Sequence, residues 1–187
     1  MKALLIPVAA VSLLALSACG GNSSEPREAA APAPLSASPS ADPTSETFEG
    51  LALGLTAASV EKRFGAPDQK GTPTEMGATG TFEADWEWKS LGLRLRMSAA
   101  TAEEAPTVGA IEIEPPSKLR TSRGIGLGAT RAEVEAAYRD ALGKGREPDE
   151  PDATSETRLI LGSVYGGTIF RFEGGKLVSV FVGAAAE

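Results

Sequence analysis

The chain has 187 residues, a formal charge of −7, no histidine and a single cysteine. An acidic chain without a basic cluster is not a nucleic-acid binder, and the missing histidine removes Ser-His-Asp catalysis, imidazole metal sites and histidine pH switching. One cysteine permits neither an internal disulfide nor a thiolate metal cluster, so no catalytic, metal or cofactor site is expected.

The N-terminal residues read as an address. Met1-Lys2 is a minimal basic start, and Ala3 to Leu16 is an apolar run of signal-peptide length, too short to span a bilayer. Leu16-Ser17-Ala18-Cys19 has the small residues of a lipobox, which makes 1–18 a lipoprotein signal peptide and Cys19 the lipidation site. The expected location is a membrane reached through an N-terminal lipid, outside the cytoplasm. Gly20 stands where some bacteria place an inner-membrane retention aspartate, which favours the outer membrane, facing the periplasm, in a Gram-negative cell. Residues 19–47, rich in Ala, Pro and Ser, cannot bury enough apolar surface to offset their ordering entropy and read as a disordered tether.

Beyond the tether the chain repeats itself. Gly50, Leu53, Gly54, Thr56, Val60, Glu61 and Phe64 recur at a constant offset as Gly124, Leu127, Gly128, Thr130, Val134, Glu135 and Tyr138. A fixed-period match of this kind marks two copies of one structural unit, here 48–116 and 124–187 with a linker at 117–123. Thr56 and Thr130 are the predicted helix N-caps; Glu133 completes a capping box for Thr130, while Ser59 makes the Thr56 box weaker. Gly65 and Gly143 are the predicted stops. The GIGLG stretch at Gly124–Gly128 has neither dinucleotide-binding nor P-loop spacing, and reads as a turn into a capped helix.

Strands follow each helix. Phe82, Ala84, Trp86 and Trp88 alternate with Glu83, Asp85 and Glu87, and Leu91, Leu93, Leu95 and Met97 alternate with Arg94 and Arg96. Matching their faces requires an even-length turn near Lys89–Gly92. Two residues pair Asp85 with Arg94; four pair Asp85 with Arg96. Ile111 and Ile113 point inward from a third strand. In the second unit the expected strands are 158–164, 168–172 and 177–182, with Gly166-Gly167 and Gly174-Gly175 as turns. By analogy with the first unit, the inward face is Ile160, Val164, Ile169, Val178, Val180 and Val182. The other face carries Leu159, Leu161, Tyr165, Phe170, Phe172 and Phe181, and must either pack on the first unit or receive a partner. Tyr165, Phe170, Phe172 and Phe181 are therefore the candidate partner-binding residues.

The fold class expected from these elements is α+β: two tandem units, each a helix plus a three-stranded antiparallel meander, with the sheets packed or joined side by side and the helices on one face. Gly54-Leu55-Thr56 with Val60, Phe64, Gly65 and Pro67, and Gly128-Ala129-Thr130 with Val134 and Tyr138, resemble the repeat of the BamE/SmpA-type lipoproteins. In tandem the repeat is similar to the β-lactamase inhibitory protein (BLIP-like) fold. The resemblance and the lipobox together imply a non-enzymatic lipoprotein of the cell envelope that binds or scaffolds an envelope protein. The alternatives are an inhibitor or regulator of a periplasmic or secreted enzyme, and a carrier of a small apolar ligand.

Overall fold

The computed structural model describes residues 46–145, 155–163 and 165–184. The signal peptide, Cys19 and the tether up to residue 45 lie outside the described residues, as does Val164. Among the described residues, two helices, α1 (Ala57–Phe64) and α2 (Arg131–Ala137), accompany eight strands: β1 (Gln69–Lys70), β2 (Thr74–Glu75), β3 (Phe82–Trp88), β4 (Leu93–Ala99), β5 (Thr107–Ile113), β6 (Arg158–Ser163), β7 (Gly166–Glu173) and β8 (Lys176–Gly183). The strands make one antiparallel sheet in the order β1-β3-β4-β5-β8-β7-β6, with β2 also pairing β3. The protein is thus a mixed α/β fold dominated by its sheet. The two strand groups do not stand apart, because β5 pairs with β8 through Ile111–Val182, Glu112–Phe181 and Ile113–Val180.

Both helices begin as the sequence predicts. Thr56 accepts the Ser59 N–H at 3.3 Å. Thr130 accepts the Glu133 N–H at 3.3 Å, while Glu133 accepts the Thr130 N–H at 2.7 Å, closing the capping box. The first helix ends at Gly65, whose N–H returns to the Glu61 carbonyl at 2.9 Å. The second ends at Tyr138, before Gly143, because the Tyr138 carbonyl takes the N–H groups of Ala141 and Leu142 and turns the chain there.

The β3–β4 connection is the four-residue form: Trp88 pairs with Leu93, Glu87 with Arg94 and Asp85 with Arg96. Gly92 in this turn sits at φ 54°, and a Cβ there would come within 2.0 Å of the Glu114 carbonyl, so only glycine fits. The short strands β1 and β2 on the outer edge of β3 have no counterpart among the predicted elements.

Ala84, Trp86, Trp88, Leu93, Leu95, Met97, Ile111 and Ile113 form half of the core, under α1. The other half corrects the predicted face of the second strand group. Leu159, Leu161, Phe170 and Phe172 point inward with Val180 and Val182, while Ile160, Ile169 and Phe181 share the opposite face with Arg171 and Ser179. Phe170 and Phe172 are 0 % and 1 % exposed. Tyr138 of α2 stacks on Phe170 with ring centroids 5.1 Å apart, and Arg131 lies over Phe172. Two aromatic rings bury more area against a helix than the Ile pair of the other face, which settles the choice. Val180 and Val182 keep their predicted inward position through a bulge. Arg171 pairs with Ser179 but Phe172 with Leu177, which leaves Val178 out of the ladder.

The expected Gly166-Gly167 turn is also displaced: Ser163 pairs with Gly166 and Gly162 with Gly167, so both glycines belong to β7. A Cβ on Gly167 would lie 2.3 Å from the Leu161 carbonyl, so the strands approach there only because the side chain is missing.

Two expected boundaries move. Glu46, assigned to the tether, is 6 % exposed inside the fold. Its carboxylate accepts the N–H groups of Thr47 at 2.9 Å and Ser122 at 2.8 Å and the Tyr138 hydroxyl at 2.6 Å. The segment 117–123 is no free linker: Ser117, Leu119 and Thr121 are buried, and Thr121 bridges to Phe48, itself fully buried. Three short hydrogen bonds to a desolvated carboxylate, plus the buried Phe48 ring, hold this stretch to the second helix.

Candidate functional site

The face of the sheet opposite the helices is uncovered by any described element. Its β3–β5 part is a charge ladder. Arg94 sits between Glu87 at 3.1 Å and Glu112 at 3.2 Å, and Arg96 faces Glu83 at 3.5 Å. Desolvation works against the Arg94 cation, but its hydrogen bond to Glu87 and the charges of Glu112, Glu87 and Glu114 outweigh it and raise its pKa above the ordinary arginine value. All these carboxylates and guanidinium groups sit at cross-strand positions, so alternation alone places them on one face. Their pairing is solvated, and it contributes more to orientation and specificity than to stability.

Toward β7 and β8 the face changes character. Arg96, Glu112, Ile169, Arg171, Ser179 and Phe181 line a hollow of about 340 Å³. Ile169 and Ser179 are buried, Phe181 is half-buried and Arg171 is exposed. An apolar floor of Ile169 and Phe181 flanked by arginines offers one patch for an aromatic or aliphatic side chain and adjacent donors for carboxylates.

Of the sequence-predicted partner residues, the structure brings Phe181 into this hollow. Tyr165, in the turn immediately before β7, is 71 % exposed, the most exposed large hydrophobic side chain among the described residues. Phe170 and Phe172 are withdrawn from the surface, as described above. Arg171, Ile169 and Ser179 were missed. Their signal was the charge of Arg171 and Glu173 in β7: residues of the same parity face water with them. Thr56 and Thr130 stay at the helix starts, remote from the hollow, in a structural role.

Among the described residues no three acidic or thiol side chains cluster as a metal site, and no helix is long and apolar enough to cross a membrane. No family model matches the chain, and no curated protein or solved structure matches it either.

Proposed function

We propose that the protein is a non-enzymatic binding module of the cell envelope, held to a membrane by lipid on Cys19, and that it presents the open face of its sheet to a protein partner. The observation that carries the reading is the hollow of Ile169, Phe181 and Arg171 beside the Arg94–Glu112 ladder, with exposed Tyr165 in the turn before β7. Mixed aromatic, aliphatic and arginine patches of this kind are typical of protein contact surfaces.

The finer architecture belongs to the same proposal: two tandem helix-plus-meander units of the BamE/SmpA type, fused through β5 and β8. What supports it is a hydrogen-bond cradle found twice. The Gly54 N–H donates to the Val108 carbonyl at 2.8 Å, and the Val108 N–H to the Leu55 carbonyl at 2.9 Å. The Gly128 N–H donates to the Leu177 carbonyl, and the Leu177 N–H to the Ala129 carbonyl, both at 2.8 Å. Each glycine precedes a capped helix, and each cradle ties that helix start to the third strand of its own group.

The test is site-specific photocrosslinking in intact cells. A crosslinker at Phe181 or Tyr165 captures one protein species, whereas the same probe at exposed Ala136 on α2 does not. Capture from Ala136 and none from the sheet positions would move the contact to the helical side. Cys19→Ala abolishes incorporation of labelled palmitate; continued labelling of that variant would remove the lipid from the proposal.

A further inference from the structure

The helical side of the sheet has an uncovered corner. With eight residues, α1 is about 12 Å long. It reaches from Thr56, which bridges Thr107, to Phe64, whose ring meets Trp88 at 6.5 Å. The inward residues at the start of β3 and the end of β4 lie beyond it. There the sheet carries small side chains: Ala84 pairs with Met97, and Phe82 with Ala99. The result is a pocket of about 230 Å³ with Phe82, Ala84, Trp86 and Met97 in its wall and no α1 residue among its lining. Its lining is mostly apolar. A dry apolar cavity of about 150 Å³ already accommodates benzene.

The rim is polar and specific. The Lys70 ammonium sits 4.1 Å from the centre of the Trp86 ring and 2.5 Å from the Glu61 carboxylate. Its charge is therefore already compensated, and it offers little to an anion. Glu104 also lines the pocket, and its side chain has no partner among the described residues. A carboxylate there repels an anion and accepts a hydrogen bond from a neutral donor.

We infer that this corner is a binding pocket for a neutral, small aromatic molecule carrying one N–H or O–H donor, of phenol to indole size. The ring lies against Trp86, Phe82 and the Met97 thioether, contacts that favour an aromatic over a saturated occupant. The donor meets Glu104. The pocket is on the other side of the sheet from the hollow around Phe181, so the inference stands independently of the proposed protein contact.

The test uses the full chain with ¹³C-labelled methionine methyls and p-cresol as the probe, with p-toluate as its anionic counterpart. The Met97 methyl resonance shifts saturably with p-cresol, half-saturating near or below about 1 mM, the range open to a ligand of this size. The anion p-toluate binds about tenfold more weakly or worse, because Glu104 opposes it and Lys70 is neutralised. Ala84→Leu fills the pocket and weakens p-cresol binding about tenfold or more, while Arg171→Ala on the opposite face leaves it unchanged. Should Ala84→Leu fail to fold, Ala102→Trp at the exposed rim blocks the same space. The absence of a saturable Met97 shift, equal binding of p-toluate, or full binding in the folded pocket-filling variants would each overturn the inference.

Discussion

Thr168 carries a hydroxyl into the interior with nothing to meet it: the residue is 0 % exposed, and its Oγ1 has no hydrogen-bond partner among the described residues. A buried unpaired hydroxyl costs about 1–3 kcal/mol in lost hydration. Thr168→Val keeps the shape and removes that cost, so stability should rise by about 1 kcal/mol. Urea unfolding reads this as a higher midpoint at unchanged slope; a lower midpoint would mean that the hydroxyl is satisfied. Tyr138 shows the opposite arrangement, a buried hydroxyl with a committed partner. Burial, and then its hydrogen bond to Glu46, push its pKa well above the ordinary tyrosine value. The folded state thus favours the neutral phenol. The stabilisation is fully present below the unfolded tyrosine's pKa of about 10 and is lost as the pH rises beyond it. Denaturant midpoints should fall more steeply above pH 10 in the parent chain than in Tyr138→Phe. At neutral pH the same variant should be less stable by about 1–3 kcal/mol, because a buried carboxylate loses a donor. Parallel pH profiles for the two proteins would show that Tyr138 does not carry this linkage.

At the scale of elements, the helix caps are local devices with separable contributions. Thr130→Ala should cost about 1 kcal/mol, and Thr56→Ala less, since Ser59 cannot return a carboxylate to the cap backbone. The Glu133 carboxyl is held below the usual carboxylate range by the Thr130 N–H first and the Thr130 hydroxyl second. Its contribution is therefore present above the unfolded glutamate's pKa and disappears as the pH falls through the lowered one. Glu133→Gln should remove that part of the acid-side decline in stability; an unchanged acid profile would rule the cap out as its source. These caps were legible in the sequence because each needs only residues three apart. The strand faces of β6 and β7 were harder, since both alternations are apolar. Ile169 shares its parity with Arg171 and Glu173, and that charge, more than the apolar identities, marked the outer side. The sequence put Tyr165, Phe170, Phe172 and Phe181 on one face without separating them; it is the position of Tyr138, stacked on Phe170, that draws Phe170 and Phe172 inward. Glu46 could not be read at all, because its partners Ser122 and Tyr138 are far away in sequence. The strands β1 and β2 are two polar residues each, too short for any period to show.

For the molecule as a whole, the split among the four aromatic candidates is a measurable contrast. Phe170→Ala and Phe172→Ala should each cost about 3–5 kcal/mol, as core aromatic truncations do, while Tyr165→Ala should stay within about 0.5 kcal/mol. Thermal unfolding of the three variants distinguishes them, and comparable losses in all three would contradict the assigned faces. The order of the sheet has a further consequence for biogenesis. The strand nearest the C-terminus, β8, lies in the middle, between β5 and β7. A ribosome or secretion channel delivers β3, β4 and β5 first; the 54–57 segment can already cover β5 around Val108, but its 111–113 stretch remains a bare row of amide and carbonyl groups until residues 180–182 emerge. Such an edge is a template for the wrong neighbour. The nascent chain is therefore vulnerable to mispairing at this edge until β8 emerges, and delivery of β8, not formation of either helix, limits how soon the seam can close.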